Sequence, residues 1–252
     1  MPDNKAIKVS TIIITFNEER NIRRCLESVK EVSDEIIVID SLSTDKTEEI
    51  CREFGVNFIK REFEGYSETK NFGNSQAKYD YILSIDADEA LSEPLKQELL
   101  TVKMDPGFDA YYLNRLNNYC GKWIRHCGWY PDKKVRLWKK DMGEWQGKIH
   151  ETVALKTSKT GFLKGNLLHY SYYSISDHLK QLEKFTEIAS ESEAKNGRKA
   201  GIFKILFAPA WKFFTSYIIR GGFLDGYYGY VVCKISAHAT FVKYVKIRQK
   251  SK

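Results

Sequence analysis

Over its first ninety residues the chain alternates short apolar runs with amphipathic stretches. Lys8-Val-Ser-Thr-Ile-Ile-Ile-Thr-Phe16 is a β-branched run and predicts a first strand. Asn17-Glu18-Glu19 follows as a polar cap for a helix whose apolar positions Ile22, Leu26 and Val29 recur at helical spacing. Glu35-Ile-Ile-Val-Ile-Asp40 predicts a second buried strand, and Ser41-Leu-Ser-Thr-Asp45 a turn and cap for a helix from Lys46 to Phe54. A third strand is expected at Val56 to Ile59, a helix from Ser67 to Ala77, and a central strand in Tyr81-Ile-Leu-Ser-Ile-Asp-Ala-Asp-Glu89. This alternation calls for a parallel sheet covered by helices on both faces, an α/β fold. Beyond it come a short helix from Glu93 to Val102 and strands at Ala110 to Arg115 and Lys134 to Trp138, with a loop rich in Gly, Trp and Pro from Gly121 to Asp132 between these strands. A further strand is expected from Gly165 to Tyr173, and from Ile175 the pattern is helical. The organisation expected is an α/β domain over residues 1–174 and a helical extension over 175–252.

The central strand ends in Asp86-Ala-Asp88-Glu89, three carboxylates in four residues. A buried carboxylate costs several kcal/mol unless it is paired or holds a metal. At the carboxyl end of a parallel strand it faces the crevice where open α/β sheets bind ligands. Because strand side chains alternate, Asp86 and Asp88 are expected to point the same way, suiting two oxygens to one hard divalent cation. The plainer alternative is a solvated strand end followed by a helix cap. No G-x-G-x-x-G follows the first strand and no P-loop signature occurs, so the usual dinucleotide and nucleoside-triphosphate cradles are excluded.

Composition adds two points. The five cysteines are scattered without a C-x-x-C pair, which argues against zinc and against a secreted disulfide framework; with no signal-peptide pattern before the first strand, a cytosolic setting is expected. The net charge of +7 is uneven: residues 195–252 hold twelve Lys or Arg and one acid, Asp225, for +11, leaving −4 on the rest. Within this tail the stretch Gly201 to Ile219 is apolar and aromatic but interrupted by Lys204, Pro209 and Lys212. That pattern fits a helix lying in an anionic bilayer interface. A helix pair packed on the main domain, or in a homodimer, is the rival. No nucleic-acid motif accompanies the basic charge.

Four stretches in order, Thr11-Ile-Ile-Ile-Thr-Phe-Asn-Glu18, Ile36-Ile-Val-Ile-Asp40-Ser-Leu-Ser-Thr-Asp45, Lys70-Asn71-Phe-Gly and Ile85-Asp-Ala-Asp-Glu89, resemble the family 2 glycosyltransferases of GT-A fold. Glu144-Trp-Gln-Gly-Lys-Ile-His-Glu151 and Gly221-Gly-Phe-Leu-Asp-Gly226 resemble its lipopolysaccharide-core glucosyltransferase branch. The resemblance implies a mixed sheet flanked by helices, a nucleotide-sugar donor and inversion at the anomeric carbon. It places Thr15, Asn17, Glu18, Asp40, Lys70, Asn71 and Asp86 around a UDP-sugar, and Asp88, Asp86 and His169 around Mg²⁺ or Mn²⁺. Asp40 would accept the imide N–H of uracil, its alternative being an N-cap; for His169 the alternative is a half-buried strand histidine. Glu151 becomes the general base, with His150 beside it in the acceptor site and the choice between the two open. Trp145 would stack on an acceptor sugar or pack in the core, and Arg136 would meet an acceptor or phosphate anion or lie on the surface.

The reading that results is transfer of a hexose, glucose first, to a hydroxyl of a lipid-linked saccharide at the inner face of a bacterial cytoplasmic membrane. A polyprenyl-phosphate acceptor is the enzymatic rival, since it is already ionised and needs no base. A non-catalytic nucleotide-sugar-binding module is the other.

Overall fold

The computed structural model describes residues 6–147 and 151–251. The chain divides into two compact units, Met1–Arg115 with Asp132–His169, and Leu116–Pro131 with Tyr170–Lys252. Helix α5 of the second unit begins at Ile175.

In the first unit the order is β1 (Val9–Thr15), α1 (Ile22–Val29), β2 (Glu35–Asp40), α2 (Thr47–Glu53), β3 (Asn57–Lys60), α3 (Tyr66–Gln76), β4 (Tyr81–Asp86), β5 (Glu89–Leu91) and α4 (Glu93–Met104). Then come β6 (Ala110–Tyr119), β7 (Lys122–Ile124), β8 (Asp132–Lys139), β9 (Gly143–Gln146), β10 (Thr152–Leu155) and β11 (Thr160–Tyr172). Strands β6 and β11 run on into the second unit, to which β7 also belongs. The main sheet has the order β3-β2-β1-β4-β8-β6-β11-β5, with β9 and β10 as a separate hairpin. β1 pairs in parallel with both β2 and β4, and β2 with β3, whereas β8 runs antiparallel to β4.

The parallel strands are buried on both faces, as their unbroken apolar runs predict. Val9, Ile13, Val38, Leu83 and Ile85 pack with Ile22, Leu26 and Val29 of α1 on one side, while Ile12, Ile37, Ile39 and Ile82 face the other. Each fully buried Ile or Leu contributes about 1.5–3 kcal/mol. On that second side α3 comes close enough that a Cβ on Gly73 would lie 2.4 Å from Ile12 Cγ2, which explains glycine at this helical position.

Two expectations fail locally. Asn17-Glu18-Glu19 does not cap α1, whose N-cap is Asn21. Asn17 instead has φ +53°, and its Oδ1 accepts from the Thr44 N–H at 2.8 Å while its own N–H donates to Ser43 Oγ at 2.8 Å. The Glu19 N–H likewise donates to Asp45 Oδ2 at 3.0 Å, so the stretch staples the two loops that follow β1 and β2. Second, the central strand stops at Asp86; Ala87-Asp88 is a turn and Glu89 opens β5. Strand alternation therefore does not link Asp86 to Asp88.

The second unit contains α5 (Ile175–Lys195), α6 (Ile202–Phe214), a π-helical turn (Thr215–Ile219) and α7 (Gly226–Lys250). The loop expected from Gly121 to Asp132 holds β7, paired antiparallel with the end of β6. Asp225, the one acid of the tail, is buried and accepts the N–H groups of Arg125 and His126. α5 and α7 are bound by Lys246 to Glu183 at 2.7 Å and to Glu187 at 2.9 Å, and by Lys250 to Glu187.

His178 of α5 is buried among Tyr119, Trp129 and Tyr172, with its Nδ1 3.1 Å from the Tyr119 hydroxyl. Burial pushes its pKa down from 6.5 to about 4. Its contribution to stability is therefore complete above pH 6.5 and is lost as the pH falls from there towards 4, where the unfolded chain takes up the proton first. The melting temperature of wild type should fall more steeply between pH 7 and 4.5 than that of His178→Asn, which keeps an acceptor for Tyr119. Parallel melting curves across that range would contradict this.

Candidate active site

The register of the parallel strands sets the site. Thr15 of β1 lies opposite Asp40 of β2, and Ile14 lies opposite Asp86 of β4. Thr15, Asp40 and Asp86 thus crowd the carboxyl edge of three adjacent strands, the position at which open α/β sheets bind ligands.

Asp40 is fully buried; Oδ2 accepts from the Ser43 N–H at 2.9 Å and Oδ1 from Ser43 Oγ. The carboxylate closes its own turn, with lone pairs left over for a further donor. Thr15 is buried and its hydroxyl has no partner among the described residues. Glu18 accepts from Asn21 Nδ2 at 2.7 Å, and burial, with Asp88 and Asp45 nearby, raises its pKa to about 7.

Asp86 is the centre of a charge network. Lys70 Nζ is 2.9 Å from its Oδ1 and Arg136 Nη2 is 3.1 Å from its Oδ2. Burial alone would raise its pKa, but Lys70 and Arg136 outweigh it and hold the carboxyl well below the ordinary range. Lys70 is only 1% exposed, not the solvated helix residue it could have been; it also reaches Glu151 Oε1 at 3.1 Å and lies 4.3 Å from the Trp145 ring centre. Arg136 is 3% exposed and bonds Glu89 Oε1 at 2.6 Å, so it is neither a surface cation nor open to an incoming anion.

Trp145 is buried against Trp138, with ring centres 5.9 Å apart, and Arg136 lies 5.6 Å from it. It packs in the core and offers no face for stacking a sugar. Asn71 clasps the Trp145 backbone, donating from Nδ2 to its carbonyl at 2.8 Å and accepting its N–H at 2.9 Å. The amide thus positions the β9 hairpin. Ser67 Oγ donates to the Gly147 carbonyl at 2.6 Å, one turn earlier on α3. His150 lies outside the described residues.

Asp88 has a different partner, its Oδ2 lying 3.1 Å from His169 Nε2. Burial disfavours the imidazolium, but the Asp88 charge and hydrogen bond outweigh it and raise the His169 pKa. Among the described residues no three His, Cys, Asp or Glu side chains are arranged for a metal ion. Asp88 and His169 nonetheless bring one carboxylate oxygen and one imidazole nitrogen together, a donor pair that fits a Mg²⁺ or Mn²⁺ completed by phosphate oxygens and water.

Glu89 is the functional-site residue that motif reading passed over. Its side chain is fully buried; Oε1 pairs with Arg136, with Arg115 Nη1 at 3.6 Å, while Oε2 accepts the Asp86 N–H at 3.0 Å. The signal was present as the third carboxylate of Asp86-Ala-Asp88-Glu89.

A parallel half-sheet with aspartates at its carboxyl edge, extended by antiparallel strands, is an architecture of GT-A type. Residues 10–160 match Glycosyl transferase family 2, and the chain belongs to that family. It is 32% identical to an uncharacterized glycosyltransferase of Rickettsia typhi, over 97% of this chain and 88% of the relative. It is 24% identical to the lipopolysaccharide core biosynthesis glycosyltransferase LpsC of Rhizobium meliloti, over 97% and 93% respectively. Among solved structures, a mannosyltransferase from Pyrobaculum calidifontis in complex with GDP-Man and Mn²⁺ shares the fold at a TM-score of 0.55 and 14% identity, covering 98% of this chain and 89% of that one.

Proposed function

We propose that the protein is an inverting, divalent-metal-dependent transferase that moves a hexose from a UDP-sugar to a hydroxyl of a lipid-linked saccharide, such as a lipopolysaccharide core. The observation that carries the reading is the alignment of Thr15, Asp40 and Asp86 on one strand edge, with Glu151 linked to Asp86 through Lys70. The similarity to LpsC supports the acceptor class.

Asp40, steadied by Ser43, takes the uracil edge, and Thr15, Asn17 and Glu18 line the approach to the nucleoside. Asp88 and His169 hold the metal, which when bound supplies Lewis-acid stabilisation of the leaving diphosphate. Lys70 and Arg136 serve Asp86 and the base-bearing segment and do not contact phosphate. Glu151, positioned by Lys70, takes the proton of the acceptor hydroxyl as its oxygen attacks the anomeric carbon. The bond to the diphosphate breaks on the opposite face, so the configuration inverts. Work at the inner face of the bacterial cytoplasmic membrane follows from a lipid-linked acceptor.

Titration calorimetry tests the donor site. Asp88→Asn should weaken UDP binding only when Mn²⁺ is present, and Asp40→Ala should weaken it with or without the ion. Wild-type UDP affinity in both variants would overturn the assignment, and binding of UDP that ignores Mn²⁺ would remove the metal from it.

A further inference from the structure

The helix running from Ile202 through Ile219 is long and apolar enough to cross a membrane, yet only 11% of it is buried. Its exposed side is one continuous stripe: Phe203 is 74% exposed, Phe207 and Trp211 65% each, and Phe214 and Ile218 continue the line at helical spacing. Phe203 and Phe207 stack at 6.2 Å, and Trp211 and Phe214 lie 5.7 Å apart. The opposite side is occupied. Ile205 packs with Ala200, Ile247 and Tyr244, and Ser216 is buried. One face is already committed to α7, so the helix is built to lie on a surface and not to cross it.

Charge identifies that surface. Three of the tail's cations are neutralised within the unit, Arg198 by Glu193 and Lys246 and Lys250 by the α5 glutamates. Lys204, Lys212, Arg220, Lys234 and Lys243 have no ion-pair partner among the described residues. Lys212 is half-buried on α6, and its pKa is lowered by burial and by Arg220 and Lys243. Two copies of so positively charged a unit repel one another, which disfavours self-pairing. An anionic lipid surface takes both the aromatic stripe and the charge.

We propose that the stripe from Phe203 to Ile218 is a docking face for an anionic phospholipid bilayer, with α6 lying in the headgroup plane. The inference rests on the glycolipid-acceptor reading for its biological sense, but its test needs no saccharide. Full-length protein should float with phosphatidylglycerol–phosphatidylcholine vesicles and do so less with phosphatidylcholine alone. Raising the salt should remove only part of the binding, because buried rings are not screened. Phe207→Ser/Trp211→Ser, in which only exposed side chains change, should bind these vesicles at least tenfold more weakly with unchanged melting temperature and UDP affinity. Wild type that stays unbound at low salt, or a double variant that floats like wild type, overturns the proposal. So does a wild-type dimer in sedimentation velocity that the double variant dissolves without change in vesicle binding. Unchanged UDP affinity in any of these cases leaves the donor reading standing.

Discussion

Glu151→Gln is expected to bind UDP and Mn²⁺ like wild type and to transfer sugar about 10²-fold or more slowly, the usual scale for loss of a general base. The substitution keeps the shape of the side chain and leaves Oε1 as an acceptor for Lys70, so the segment that carries it should hold its place. What it removes is the capacity to take a proton. Single-turnover transfer measured with saturating donor separates this from a binding defect. Wild-type turnover in Glu151→Gln together with a collapse in His150→Ala would move the base to His150. Wild-type turnover in both would favour an acceptor that is already ionised, such as a polyprenyl phosphate.

Glu89→Ala should destabilise the protein by about 3–5 kcal/mol, the cost of breaking a buried ion pair by deleting one partner. Arg136, 3% exposed, would keep only Asp86, and the Asp86 N–H would lose its acceptor. Glu89→Gln retains that acceptor and the packing, so it should lie between wild type and the alanine variant. Urea unfolding measures both, and a loss below about 1 kcal/mol in Glu89→Ala would show that the network relaxes around the gap.

Much of the fold was legible because β1, β2 and β4 are continuous apolar runs, and β2 begins and ends where Glu35 and Asp40 bracket its run. The end of β4 was not legible: Ala87 and Asp88 suit a strand or a turn equally, and the return into β5 is decided by pairing with β11, about eighty residues away. The β9–β10 hairpin escaped for a similar reason, being two four-residue strands without clear alternation. Motifs singled out Asp86, Asp88 and His169 as candidates. The partners of Asp86 and Asp88 were not legible, because Lys70, Arg136 and His169 come from different elements. Trp145 and Asn71 looked like ligand contacts only while their mutual clasp was unseen.

That clasp is one of three. Ser67, Lys70 and Asn71 lie on a single face of α3 and hold, respectively, the Gly147 carbonyl, Glu151 and the Trp145 backbone. Helix α3 thereby acts as a jig for the segment that carries Glu151. Two of the three grips are on main chain, so they fix the path of the segment and not its side chains. Sequence still counts on the buried side of the hairpin, where Trp145 packs against Trp138 and Val153 and Leu155 join the same cluster, so a substitute segment must keep those apolar positions together with Glu151.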